Sequence, residues 1–167
     1  GSIGPMGNAA VVELPIRAES GNPIALADAF GLAGALGFYS PLGGEATMSA
    51  VLGGSIGDLN LDAVSASLAT PLAQMTLNGS IASLGPDAVM NLDVDVSVPE
   101  VARLEPVLDW SLDKYPSVSL SGRAKLLGTV GQPRLSGVDG KINGAGIQSG
   151  RFSGQLPDLT HLAGGSI

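Results

Sequence analysis

Met90-Asn91-Leu92-Asp93-Val94-Asp95-Val96-Ser97-Val98 decides the fold. Its apolar residues stand at every second position, and Asn, Asp and Ser fill the places between. A strand turns successive side chains to opposite faces, so this stretch has one dry face and one wet face. A helix would spread the same residues around its whole circumference. The neighbours repeat the pattern. On one side, Met75, Leu77, Gly79 and Ile81 alternate with Gln74, Thr76, Asn78 and Ser80. On the other, Val118, Leu120, Ala124 and Leu126 alternate with Ser119, Ser121, Arg123 and Lys125. Farther out, Leu59 to Ala63 and Val12 to Arg17 alternate in the same way. Glycine-rich punctuation separates the runs: Gly53-Gly54, Gly57-Asp58, Gly85-Pro86-Asp87, Gly131-Gln132-Pro133 and Gly140. An antiparallel meander of long strands is the expectation.

Two segments depart from period two. Pro99 to Leu112 carries Val101, Leu104, Val107, Leu108 and Leu112 at helical spacing, with Pro99 suited to the first turn. Asn22-Pro23 opens a second apolar segment, Pro23 to Phe38, with Leu26, Phe30 and Ala33 on one side. At about 16 residues, with Asp28 inside it, this run falls short of the roughly 20 that a membrane-spanning helix needs. An offset of 74 then aligns Leu52 with Leu126, Gly54 with Gly128, Leu61 with Leu135, Val64 with Val138 and Leu68 with Ile142. The chain reads as a single fragment, 1–167, containing two approximate repeats at about 9–82 and 88–156. Repetition favours stacked units over a closed globule. The expected fold is mainly β: long antiparallel strands in a curved, groove-like sheet with an apolar concave face and one or two short helices. The alternative is a closed β-solenoid or sandwich.

Composition narrows the function. Among 167 residues 44% are apolar, yet only 4% are aromatic and 14% charged. So aliphatic a chain must hide its apolar surface or present it to something. The net charge of −7 opposes phosphate backbones and anionic membrane surfaces, and no basic run offsets it, so no nucleic acid is expected as a partner. Absence of cysteine removes disulfides and thiolate chemistry. The opening Gly1-Ser2 has the form of a vector-derived remnant, which suggests a segment of something longer.

Several phrases together resemble one family. Gly128-Thr129-Val130-Gly131-Gln132-Pro133-Arg134-Leu135-Ser136-Gly137 is similar to the "GT-x-x-x-P-x-L-x-G" stretch of TamB-like proteins. Gly154-Gln155-Leu156-Pro157-Asp158-Leu159, followed by Leu162-Ala163-Gly164-Gly165, resembles the "L-x-DL-x-x-LA" phrase of AsmA and TamB proteins. Leu77-Asn78-Gly79-Ser80-Ile81 and Leu120-Ser121-Gly122-Arg123 resemble their strand phrases, and Val98 to Leu104 resembles the short helix those phrases lead into. The resemblance implies a periplasmic protein anchored to the inner membrane. In it an apolar groove carries phospholipid between the membranes and serves outer-membrane homeostasis. The implied partners are phospholipid acyl chains, neighbouring segments of the same chain and outer-membrane assembly proteins. The candidate lining is Met75, Leu77, Ile81, Met90, Leu92, Val94, Val96, Val118, Leu120 and Leu126; the same pattern equally describes an ordinary core. A non-catalytic structural or adhesive β-repeat scaffold is the alternative function.

Nothing in the residues asks for an enzyme, a cofactor or a metal. The single histidine, His161, lacks a Gly-x-Ser-x-Gly elbow to serve. Asp93-x-Asp95 and Asp58-x-x-x-Asp62 fall on the wet face, where carboxylates solubilise a sheet. Gly31-Leu32-Ala33-Gly34 with Gly37 lacks the Lys-Ser/Thr of a phosphate loop. Asn78-Gly79-Ser80 matches a glycosylation sequon by chance on a strand. Because a sheet of this kind has free edges, the isolated chain is expected to self-associate through them.

Overall fold

The computed structural model describes residues 2–3, 11–22, 44–55, 57–85, 87–104, 117–144 and 147–157, with backbone alone at 2–3 and 147–149. Nine strands form one antiparallel sheet in sequence order: β1 (Ser2–Ile3), β2 (Val11–Ser20), β3 (Glu45–Ser55), β4 (Asp58–Ala69), β5 (Gln74–Ala82), β6 (Val89–Val98), β7 (Ser119–Thr129), β8 (Gln132–Gly144) and β9 (Ile147–Leu156). β1 and β9 are the edges, so the sheet is open, and the closed alternatives fall away. The strands are longer than their alternating centres suggested: the run from Leu59 to Ala63 is the first part of a strand that continues to Ala69.

Register explains why one face is dry. Leu14 lies opposite Leu52, Leu52 opposite Leu61, Leu61 opposite Ile81, and Ile81 opposite Met90. The next row runs from Val64 through Gly79, Leu92, Leu126 and Leu135 to Leu156. A slip of one residue at any junction would turn these side chains to water. The core sits where the rows meet: Met48, Ala50, Leu61, Val64, Ile81, Ala88, Met90 and Leu92 form one cluster. Leu61 is 1% exposed and Ile81 2%. Full burial of such a side chain contributes about 1.5–3 kcal/mol, so this cluster is the main local source of stability.

Both ends of the cluster are tied by backbone hydrogen bonds. The Leu84 N–H donates to the Leu59 carbonyl at 2.7 Å, and the Val130 N–H to the Ala88 carbonyl at 3.1 Å. These bonds fold the hairpin residues Leu84 and Val130 onto the core. At the other end of the strands, Val101–Leu104 forms a single 3-10 turn. The Val101 N–H donates to the Val118 carbonyl at 2.8 Å, and Val98 and Val118 are buried beside it. That turn is the described part of the expected helix from Pro99 to Leu112; its remainder, and the segment from Pro23 to Phe38, lie outside the described residues.

The two halves match in detail. β3 and β7 are related by an offset of 74, from Glu45 to Ser119 and from Ser55 to Thr129. Gly54 and Gly128 have φ of 103° and 99°. β4 is bulged at Ala63, and β8 at Gly137, the same offset away. Their φ values are 48° and 60°. Such bulges bend strands and sharpen twist, which fits a curved, groove-like sheet. β1 belongs to this pattern too. Ile3 pairs with Val12 as Ile81 pairs with Met90, at an offset of 78. Ser2 and Ile3 therefore occupy a strand position.

Two sets of glycines read as punctuation lie inside strands instead. Gly53-Gly54 belongs to β3 and Gly140 to the middle of β8. At Gly140 the reason is space, because the Phe152 ring from β9 lies where a Cβ would stand. At the bulges the reason is the backbone. A left-handed conformation costs an L-residue about 1–2 kcal/mol, which glycine avoids. Gly137→Ala should therefore lower stability by about 1–2 kcal/mol. Ala63→Gly should stay within about 0.5 kcal/mol of the parent, since relief of strain is offset by a freer unfolded chain. Urea unfolding followed by circular dichroism measures both.

Candidate functional site

The dry face is the one extended surface of distinctive chemistry among the described residues. β5 supplies Met75, Leu77 and Ile81; β6 supplies Met90, Leu92, Val94 and Val96; β7 supplies Leu120 and Leu126, with Val118 just before it. The register brings all of these onto one face. Met75 lies opposite Val96, Leu77 opposite Val94, Ile81 opposite Met90, and Leu92 opposite Leu126.

Their exposure divides them. Ile81, Met90, Leu92, Val94 and Val118 are buried. Met75, Leu77, Val96, Leu120 and Leu126 are half-buried and keep contact with solvent. The half-buried set continues through Ile142 in β8 and ends at Phe152 in β9, which is exposed. Apart from Leu126, which lies opposite Leu92 and packs on the core, these side chains form an apolar lane across β5 to β9 beside the closed part. Buried polar side chains are absent among the described residues.

The candidate lining omits the core residues Met48, Ala50, Leu61, Val64 and Ala88. For Leu61 the signal was present in its alternation with Asn60 and Asp62. Phe152 was missed because its role depends on a gap two strands wide. It packs over Gly140 and reaches toward Gly122, two glycines in register on β8 and β7. An aromatic ring covering cross-strand glycines restores the contact area those glycines lack.

The wet face carries charge in cross-strand pairs. Lys125 Nζ lies 3.0 Å from Asp93 Oδ1, and Arg123 Nη2 lies 3.3 Å from Asp139 Oδ2. These groups are exposed, and such pairs contribute at most about 1 kcal/mol. Thr47 and Ser67 share a hydroxyl hydrogen bond of 2.8 Å across β3 and β4. Asp58 accepts from Ser83 Oγ at 3.1 Å, and Asp62 accepts from Asn60 Nδ2. A shallow depression of about 580 Å³ lies over this face between Thr76, Asp95, Arg123, Asp139, Lys141 and Arg151. A second, of about 420 Å³, lies between Arg17, Glu19, Thr47, Ser65, Ser67 and Asn78. Both depressions lie on the polar side of the sheet. Neither depression gathers a reactive constellation. Among the described residues no three His, Cys, Asp or Glu side chains stand where a metal ion could be held. His161 and Gly31 to Gly37 lie outside the described residues.

Comparison with protein-family models, curated proteins and solved structures found no match. Among the described residues no helix is long and apolar enough to cross a membrane.

The division of the face predicts unequal mutational costs. Leu92→Ala should lower stability by about 2–5 kcal/mol through cavity formation. Leu120→Ala, half in water already, should cost about 1 kcal/mol. Denaturant midpoints at constant m-value would measure the difference.

Proposed function

We propose that this chain is a segment of a non-catalytic, AsmA/TamB-like periplasmic protein whose apolar sheet face accommodates phospholipid acyl chains. The observation that carries the reading is the lane of half-buried aliphatic side chains, Met75, Leu77, Val96, Leu120 and Ile142, running across β5 to β8.

An acyl chain needs a continuous apolar lane and makes no directional bonds. Each methylene removed from water contributes about 0.8 kcal/mol. Strands are spaced about 4.8 Å apart, so the five strands from β5 to β9 span roughly 19 Å, comparable to a long acyl chain lying across them. Aliphatic side chains adapt to such a chain better than rigid rings do, and aromatics are only 4% of the sequence. The resembling phrase from Gly128 to Gly137 builds the β7–β8 hairpin and its bulge. Anchoring to the inner membrane and partnership with outer-membrane assembly proteins follow from the resemblance alone and belong to the longer protein it implies.

A second reading, a structural repeat scaffold, is favoured by the closed half of the face. Ile81, Met90, Leu92 and Val118 are packed as core residues are. The two readings part at the half-buried lane. A photo-crosslinking residue at Val96 or Leu120, in protein exported to the periplasm of a Gram-negative cell, should capture phospholipid, identified by mass spectrometry. Asp95 and Ser121, on the opposite face, should capture none, and Leu92 in the closed core should capture little. Absence of adducts at Val96 and Leu120 in folded protein would leave the scaffold reading.

A further inference from the structure

The junction between the two halves of the chain is the pairing of β5 with β6. On its dry face Leu77 meets Val94, Gly79 meets Leu92 and Ile81 meets Met90. The edge strand β9 and the strand β2, which only the two-residue β1 covers, each copy one side of this junction. β9 repeats β5 at an offset of 75: Leu135 pairs with Leu156 as Leu61 pairs with Ile81, and Val138 with Gly154 as Val64 with Gly79. β2 repeats β6 at an offset of 78, Val11–Ser20 against Val89–Val98. We propose that the chain assembles head to tail, with β9 of one copy adding to β2 of a second copy in the register that joins β5 to β6.

Carrying the internal register across sets Phe152 opposite Ile16, Gly154 opposite Leu14 and Leu156 opposite Val12, all on the dry face. These are the places where apolar surface is left uncovered. Of the five large hydrophobic residues exposed among the described ones, the three on the dry face, Leu14 (47%), Phe152 (42%) and Leu156 (41%), all lie on β2 and β9. The glycine at the centre of the junction agrees. A Cβ on Gly79 would come within 3.0 Å of the Leu92 Cα, whereas no atom lies within 4 Å of the corresponding position on Gly154. Leu14 of the next copy fills that space. β1 shows that the β2 edge already accepts this register, since Ile3 sits on Val12 where Leu156 of the incoming copy would sit. The incoming strand displaces the two residue pairs of β1 and replaces them with a longer ladder. Pro15, opposite Ser153, has no N–H and leaves at most one ladder bond unmade. The contact joins unlike surfaces, so it continues the sheet and grows an open filament rather than a closed dimer.

One feature holds the assembly in check. On the wet face the register sets Arg151 opposite Arg17, and like charges directly opposite each other are destabilising. This supplies the test. Arg151→Glu alone, or Arg17→Glu alone, makes an opposite-charge pair and should raise the association constant about fivefold. The double substitution restores a like-charge pair and should return association to the parent level. Sedimentation velocity over a concentration series reads the effect, with circular dichroism confirming the fold of each variant; these exposed positions leave the core untouched. Geometry is tested separately. With no cysteine in the chain, Arg17→Cys and Arg151→Cys proteins should form a disulfide-linked pair when mixed and none when oxidised alone. Unchanged sedimentation in both single charge variants would overturn the proposal. So would self-linking of the Arg151→Cys protein, which would indicate a symmetric edge-to-edge contact.

Discussion

Everything in this molecule depends on register. Eight antiparallel junctions keep Leu, Val, Ile and Met on one side of a single sheet and Asp, Asn, Ser and Thr on the other. Among the described residues the sheet is one layer thick, with no second sheet to share an error. If one junction slipped by a residue, every strand beyond it would turn its apolar side chains to water. The bulges at Ala63 and Gly137 are part of this control. Each adds a residue to one strand and so resets the phase of the face before the next strand pairs with it.

The same constraint ties the core to the candidate lipid surface. Leu61, Ile81, Met90 and Leu92 are closed by hairpin residues folded over them, while Met75, Val96 and Leu120 on the same face retain contact with solvent. The closed part holds the strands in place, and the open part is what a lipid would touch. Their proximity means that a substitution aimed at binding can read out as instability unless it is confined to the half-buried lane. The wet face contributes in a different way. Its pairs, such as Asp93 with Lys125, favour one register over others more than they add stability, because exposed ion pairs are weak.

Repetition sets the chemistry of the edges. A unit that ends in a strand like β5 and begins with a strand like β6 offers matching surfaces at both ends. Edge strands invite pairing with other chains, and proteins limit this with prolines and charge. Pro15 on β2, and Arg17 set against Arg151, are devices of that kind. They make the edges selective rather than inert.

The sequence by itself determined the strands, their two faces and the internal repeat. Period two from Met90 to Val98, and the alignment of Leu61 with Leu135, are local or self-referential signals that need no coordinates. It also placed all ten candidate lining residues on one side. Three things were decided only by the tertiary structure. One was which lining residues are closed: Leu92 and Val96 are indistinguishable by pattern, and only the packing of their neighbours separates them. Another was the purpose of certain glycines, since Gly140 reads as a turn until Phe152 is seen to cover it from the next strand. The last was that the sheet stays open, because closure depends on whether the first and last strands meet. Periodicity reports the direction of a side chain from its own backbone; burial, cover and closure depend on atoms brought near by strands elsewhere in the chain.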